Sequence, residues 1–300
     1  MAPGAPSALN VANVLVPLDG SELALQAMPT ARVLAERLSA TLNTITVADG
    51  EDDIARARSH ASAALGIDEG DDRVQVVTGG DPAEAIIRRA AALGGCVVCS
   101  TTHGRGRLGG AVMGSVARSV VQRSADPVVI LGPSADNPGR SPRPRNWPEP
   151  FSVSRVIACV DASATSEQVL PFAADWAEAL GMSLTILTVI GDAPAPLRPV
   201  SAPGPYGAHG DAQSHIDAQS HIDLLVQQWR SRLPEVDGVV VRDPLGPASG
   251  MRAHLDEHPT GLVALTTHAR SGVQRALLGA TAASIVHSSV APCLVAPVHH

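Results

Sequence analysis

The sequence predicts an α/β protein built from two doubly wound, parallel, five-stranded sheets in tandem. Three observations predict it. Short apolar β-type runs alternate with amphipathic helical stripes along the chain, and parallel strands need helical crossovers of that kind. The hydrophobic share is 45% while aromatics supply only 2%. The core must therefore be Ala, Val, Leu and Ile, which suits parallel strands covered by Ala-rich helices. Finally, the second half repeats the order of the first, and 300 residues make about two domains on length alone.

In the first half, Asn13–Asp19 (NVLVPLD) is a short buried strand closed by Pro-Leu-Asp and Gly20. Leu23, Ala27, Ala31, Leu34, Ala35 and Leu38 then lay one stripe along a helix. Thr41–Val47 is a second strand, Asp52–Leu65 an Ala-rich helix ended by Gly66, and Arg73–Thr78 a third strand. Asp81-Pro82-Ala83-Glu84 is a helix start, with an N-cap Asp, a first-turn Pro and a Glu three after the cap. That helix runs to about Ala92, and Gly94-Gly95 ends it. Cys96–Thr101 is the fourth strand, 114–124 the next helix and Pro127–Leu131 the fifth strand.

Between the fourth strand and the helix after it lies STTHGRGRLGGAVMGSV, from Ser100 to Val116, with five glycines and two arginines. Glycine lets the backbone take positive φ and approach a ligand closely. A helix starting at Gly114-Ser115 aims free N–H groups and the positive end of its dipole at whatever the loop holds. This is the chemistry of an anion site, most simply a phosphate site. Doubly wound sheets bind ligands beyond strand carboxyl ends, where strand order reverses. Asp19 and the glycine loop both lie at such ends.

The stretch 133–152, dense in Pro, Ser, Asn and Arg, reads as a linker between a domain at 10–132 and a second at 153–300. In the second, Arg155–Asp161 matches the first strand, with Asp161 in the place of Asp19. Val169, Leu170, Ala173, Ala174, Ala177 and Leu180 repeat the helical stripe, and Ser183–Val189 is the next strand. An insertion at about 191–215 is rich in Pro, Gly and Ala. The hexamer AQSHID occurs twice in succession, at Ala212–Asp217 and Ala218–Asp223, and reads as a duplication lengthening a surface helix. Val239–Arg242, Pro247–Glu257 and Gly261–Thr267 continue as strand, helix and strand. LTTHARSGVQRALLGAT at Leu265–Thr281 is a weaker copy of the glycine loop, followed by a helix at 279–288 and a last strand at Pro292–Val298.

Other chemistries find less support. A net charge of −7 with no basic run argues against nucleic acid or an anionic membrane as partner. The N-terminus lacks a basic n-region with a long apolar core, and no run approaches the roughly 18 residues a spanning helix needs, so a soluble cytoplasmic protein is expected. Cys96 and Cys99 form C-x-x-C inside a strand, where positions three apart face opposite ways, so they read as buried residues rather than a redox pair. The pattern G-x-G-x-x-G at 104–109 follows the fourth strand rather than the first and does not open a helix directly. His254-Leu255-Asp256-Glu257-His258 fits a zinc-hydrolase pattern, but Pro259 follows at once and no third ligand is evident, so it reads as an exposed helix end. No metal site and no base–nucleophile pair stands out.

The chain resembles a tandem universal stress protein. The resemblance rests on VLVPLDGSE at Val14–Glu22, Thr-His-Gly-Arg at Thr102–Arg105, Gly104 followed after nine residues by Gly114-Ser115-Val116, and Ser124–Leu131. It implies an adenine-nucleotide-binding fold with sheet order 3-2-1-4-5 and homodimers formed along the terminal strands. It implies that Pro17, Leu18 and Asp19 hold ribose and adenine, and that Val47 meets adenine through its backbone. Thr101, His103, Gly104, Arg105, Gly114, Ser115 and Val116 would line the phosphates, with Thr101 where the motif has its first glycine. The cofactor implied is ATP, with or without Mg2+. In the second repeat the matching positions are Val160, Asp161, Val189, Gly279 and Thr281, but Ala269 and Ala280 replace the loop glycine and the helix-start hydroxyl. The expected function is non-enzymatic, nucleotide-dependent regulation in stress, mainly through the first repeat. The alternatives are a nucleotide-free dimerisation scaffold or a slow ATPase.

Overall fold

The computed structural model describes residues 9–102, 113–132, 154–191, 212–257, 261–266, 268–269, 276–277, 280–289 and 291–296. The first half runs β1 (Asn13–Pro17), α1 (Glu22–Leu25), α2 (Ala27–Leu38), β2 (Thr41–Ala48), α3 (Ile54–Leu65), β3 (Val74–Thr78), α4 (Pro82–Leu93), β4 (Cys96–Thr101), α5 (Ser115–Arg123) and β5 (Val128–Leu131). The second runs β6 (Arg155–Cys159), α6 (Val169–Leu180), β7 (Ser183–Ile190), α7 (Ala212–Trp229), β8 (Val236–Arg242), α8 (Pro247–Glu257), β9 (Gly261–Leu265), β10 (His268–Ala269), β11 (Ala276–Leu277), α9 (Ala280–Ser288) and β12 (Cys293–Val295).

The first-half strands stand in the order β3-β2-β1-β4-β5, the 3-2-1-4-5 arrangement, and the second half repeats it as β8-β7-β6-β9-β12. Within each five-stranded set every pairing is parallel, while β10 and β11 form a separate antiparallel pair, His268 opposite Leu277. The two five-stranded sheets fuse into one ten-stranded sheet because β12 pairs antiparallel with β5, Leu294 opposite Val129. The terminal strands expected to join two chains thus join the halves of one chain. Each has a neighbour on both sides, β4 and β12 for β5, β9 and β5 for β12, so neither offers an edge for a homodimer. The antiparallel junction also sends the carboxyl ends of the two sets of strands to opposite rims of the sheet.

Apolar layers cover both faces. On one, Val14, Val16, Val97, Val156, Ala158 and Leu294 pack under α2, α3, α6 and α7. On the other, Leu15, Val98, Ile130, Ile157, Val263 and Cys293 pack under α4, α5, α8 and α9. Cys99 belongs to the first layer and Cys96 to the second, so C-x-x-C spans the sheet as its strand position requires. Burial pushes the Cys96 thiol up to about 12 and the Cys99 thiol further, which removes the thiolate that redox exchange needs.

Local chemistry explains where elements depart from expectation. The first helix breaks at Gln26 into α1 and α2. Pro29 has no N–H to continue the ladder through that point, so it is tolerated only in the first turn of a new helix. Pro171 sits the same way in α6. Strand β8 begins at Val236 rather than Val239, through residues with low β-propensity. Gly238 has a separate reason to be there, since a Cβ on it would stand 2.3 Å from Ile222 Cγ2 of α7. The helix carrying the hexamer repeat is not wholly a surface element, because Ala218, Ile222, Leu225, Val226 and Trp229 are core. His254 is buried at 7% exposure, not at an exposed helix end. No group of metal-binding side chains occurs among the described residues, and no helix among them is long and apolar enough to cross a membrane.

Candidate nucleotide site

The order 3-2-1-4-5 reverses between β1 and β4, and the first-half candidates gather at the carboxyl ends of those strands. Leu15 pairs with Val98, so Leu18 and Thr101 stand level, each three residues beyond that pair. The Leu18 N–H donates to Ile45 O at 2.9 Å, which keeps the chain leaving β1 beside β2, where Val47 follows two residues on. The Leu18 side chain is core, at 3% exposure, so only its backbone faces the crevice. Pro17, Asp19, Val47 and Thr101 are half-buried there.

Asp19 organises a tight turn. Its Oδ1 accepts from the Ser21 N–H at 2.9 Å and from Ser21 Oγ at 2.6 Å. Ser21 Oγ accepts in turn from Ala24 N–H at 3.2 Å and caps α1. Gly20, between them, has φ 81°, the left-handed region that glycine enters without strain. The Ser21 N–H and hydroxyl together thus aim the carboxylate. Ser21 has a signal in the sequence, because Asp-x-Ser stands after the first strand in both halves.

The two ends of the glycine loop are tied together. The Thr102 N–H donates to Leu131 O at 2.9 Å, extending the β4–β5 ladder, and Thr102 O accepts from the Gly114 N–H at 2.8 Å. This brings the start of α5 directly to the end of β4. Gly114 is the N-cap with φ −55° and ψ 154°, a conformation open to any residue, so its role does not come from positive φ. It supplies no side chain to cap α5, and the first turn carries no acidic residue. Ser115 and Val116 are exposed. The leading N–H groups of α5 therefore point, uncapped by any side chain of the N-cap residue, past exposed Ser115, as an anion site requires. His103, Gly104 and Arg105 lie outside the described residues.

The second half keeps the turn and changes its middle. Asp161 Oδ1 accepts from Ser163 N–H at 3.0 Å and Ser163 Oγ at 2.6 Å. Ser166 Oγ accepts from the Asp161 N–H at 3.0 Å. Burial works to raise the Asp161 pKa, but the Ser163 and Ser166 hydrogen bonds outweigh it and hold the carboxyl below its ordinary value. Ala162 takes the place of Gly20 with φ 59°, a left-handed conformation that costs a residue with a Cβ roughly 1–2 kcal/mol. Nothing in a sequence marks such an alanine. Val160 repeats the Leu18 bond, donating to Leu187 O at 2.9 Å. Val189 packs on Gly250 of α8, where a Cβ would stand 2.5 Å from its Cγ1. Helix α9 begins at Ala280 as α5 begins at Ser115, which places Thr281 level with Val116 rather than with the serine. Thr281 is exposed, and Gly279 lies outside the described residues.

A duplicated, doubly wound α/β protein with an Asp turn at each strand-order reversal is what the architecture defines. The model of the universal stress protein family matches residues 10–132 and 152–297. The chain belongs to the universal stress protein family. A universal stress protein of Mycobacterium tuberculosis H37Rv is 28% identical over 201 residues, a match covering 65% of this chain and 57% of that protein's length. The crystal structure of a universal stress protein from Archaeoglobus fulgidus DSM 4304 aligns with a TM-score of 0.58 at 17% identity, over 97% of this chain and 99% of that one. A functionally unknown protein from Pseudomonas aeruginosa PAO1 aligns with a TM-score of 0.59 at 15% identity, over 97% of this chain and 94% of that one. These structural likenesses are likenesses of fold.

Proposed function

We propose that the first half binds ATP, with or without Mg2+, and that the chain works as a nucleotide-dependent regulator in the stress response rather than as an enzyme. The observation that carries this reading is the closure of β4 onto α5. The Gly114–Thr102 bond sets a helix start whose N-cap residue has no capping side chain at the strand-order reversal, beside the Asp19 turn. In this reading Asp19 and the Leu18 backbone hold ribose and adenine, Val47 meets adenine, and Gly114, Ser115 and Val116 hold phosphates with Thr101, His103, Gly104 and Arg105. The second half binds weakly or not at all. Ala280 removes a hydroxyl that a charge-assisted bond to phosphate makes worth about 1–3 kcal/mol, and Ala269 stands where the first loop has glycine. Together these weaken binding by about two orders of magnitude.

The test is to denature the purified full chain, identify released nucleotide by mass, and titrate the nucleotide-free protein with ATP calorimetrically. One tight ATP per chain is expected, abolished by Ser115→Glu, which sets a carboxylate against the phosphates. Two equally tight ATP molecules would refute the asymmetry. No release and no binding would favour the nucleotide-free scaffold. ATP turnover that His103→Ala removes while binding persists would favour the slow ATPase.

A further inference from the structure

We propose that a cavity at the amino-terminal rim of the second half binds a small zwitterion whose carboxylate and ammonium lie several bonds apart, as in a dipeptide or an ω-amino acid. The cavity has a volume of about 550 Å³, within the range that holds small molecules. It sits at the starts of β6 and β8, away from the Asp161 turn, and does not depend on the nucleotide reading. Strand β8 is the outer strand on that side of the sheet, so groups from both faces reach the cavity around it. Arg155 and Asp237 come from the face of Ile157, and α7 supplies Asp223, Gln227 and Arg230 from the other. Val226 and Val239 give it apolar walls.

The unbalanced charges mark the cavity as a site. Arg155 is half-buried. Its Nε is enclosed without a hydrogen-bond partner, and its Nη1 reaches only Thr185 Oγ1, at 3.4 Å. Arg230 donates from Nε to Val236 O at 3.3 Å. Among the described residues neither guanidinium forms an ion pair, whereas Arg56, Arg73, Arg123 and Arg232 each meet a carboxylate. A guanidinium withdrawn from water with no counter-charge costs stability, and a bound oxyanion restores it. The first half closes the same rim with neutral bonds. Asn13 stands in the place of Arg155 and Asn43 in that of Thr185. Asn43 Nδ2 donates to Asn13 Oδ1 at 3.1 Å, and Asn13 Nδ2 donates to Gly94 O at 3.1 Å. Arg73, in the place of Asp237, pairs with Asp71 at 2.7 Å.

The lining also selects the ligand. Two arginines and two aspartates cancel, which fits a ligand without net charge and disfavours a phosphate dianion. Asp223, Gln227 and Arg230 follow at intervals of four and three along one face of α7, so Asp223 and Arg230 stand about 10 Å apart along the helix. Asp223 Oδ1 accepts from the neutral Gln219 Nε2 at 2.9 Å, which orients the carboxylate and leaves its charge unbalanced. Arg155 and Arg230 therefore take a carboxylate at one end, Asp223 takes an ammonium at the other, and the chain between them lies along Val226 and Val239. An α-amino acid, with its charges on one carbon, is too short to reach both ends.

The experiment titrates the full chain calorimetrically with glycylglycine, γ-aminobutyrate, glycine, acetate and inorganic phosphate. It is repeated for Arg155→Met, Arg230→Gln and Asp223→Asn, with a thermal melt of each chain. Glycylglycine or γ-aminobutyrate should bind at least about tenfold tighter than glycine, acetate or phosphate, and the tighter of the two names the ligand class. Arg155→Met and Arg230→Gln should each weaken that binding about tenfold, the size of one charge-assisted bond. Asp223→Asn should weaken it about tenfold and leave acetate within about twofold. Arg155→Met keeps the apolar stem and removes the charge, so without ligand it should melt above the native chain. A lower melting temperature for Arg155→Met would make the guanidinium a structural tie and overturn the proposal. Phosphate binding tightest, or neither zwitterion binding, would overturn it as well.

Discussion

Asp161 shows how one carboxylate couples a turn to pH. Burial works to raise its pKa, but the Ser163 N–H and hydroxyl that donate to it, with Ser166 beside it, hold the folded pKa below the unfolded value of about 3.9. A depressed folded pKa adds stability that is fully present above the unfolded value and is lost as pH falls through the folded one. Asp161→Asn, which keeps an acceptor but removes the charge, should therefore lower the urea midpoint at pH 7. The difference should shrink as pH falls below about 3.9 and through the lower folded pKa, as the native carboxyl protonates. Urea unfolding of both chains at pH 7 and at a series of values descending below about 3.9 checks this, and a gap that stays constant down the series would rule out the charge as the source. At this scale the sequence was readable where a residue's type announces its job. Asp19, Ser21 and Gly20 fall into that group. It was silent where an ordinary residue is forced into an unusual role, as with Ala162 in the left-handed region or Arg155 half-buried without an ion pair.

The hexamer repeat in α7 tests the reading of whole elements. A shift of six residues rotates a position by about 240° around a helix, so two identical hexamers cannot present the same face. Ile216 is 54% exposed while Ile222, its copy, is fully buried. Ile222→Ala should cost about 2–5 kcal/mol, and Ile216→Ala less than about 0.5 kcal/mol. Denaturant melts that returned similar losses for the two would show that the first copy also packs. The same rotation separates the histidines: His221 Nε2 lies 2.9 Å from Glu167 Oε1, an arrangement in which His215 has no part. Elements were legible where local chemistry closes them. The Asp81 carboxylate accepts from the Ala83 N–H at 3.1 Å, with Pro82 at the first position, as its four-residue signature implies. They were less legible where packing decides. The early start of β8 depends on pairing with β7, and the buried face of α7 depends on which hexamer meets the sheet.

The junction of the halves is the feature that no local pattern contains. Strands β5 and β12 look alike as short apolar runs, and nothing in either names the other as its partner. The structure pairs them antiparallel and braces the seam from both sides. On one face α2 approaches α6, and Arg37 Nη1 donates to Leu180 O at 3.2 Å. At the carboxyl end of β5, Gly132 meets the last turns of α9 so closely that a Cβ would stand 2.0 Å from Val286 O. The atom it would meet is backbone and a Cβ has no rotamers, so no side-chain rotation can relieve the contact. Gly132→Ala must therefore push α9 away from β5 or pull β5 out of register with β12, and Val286 is core. The expected loss exceeds that of a surface substitution severalfold, at about 2–4 kcal/mol, and it should fall on the seam. Calorimetric melting of the native chain should show one transition, and Gly132→Ala should lower it or split it as the halves uncouple. Ser39→Gly offers the contrast, since it relieves a φ of 53° at the end of α2 without adding an atom to the seam and should raise stability without changing the number of transitions. The junction sends the two strand-order reversals to opposite rims of the sheet. Any coupling between the two reversals has to pass through this seam, and a Gly132→Ala chain that melts like the native one would show that this contact does not hold it.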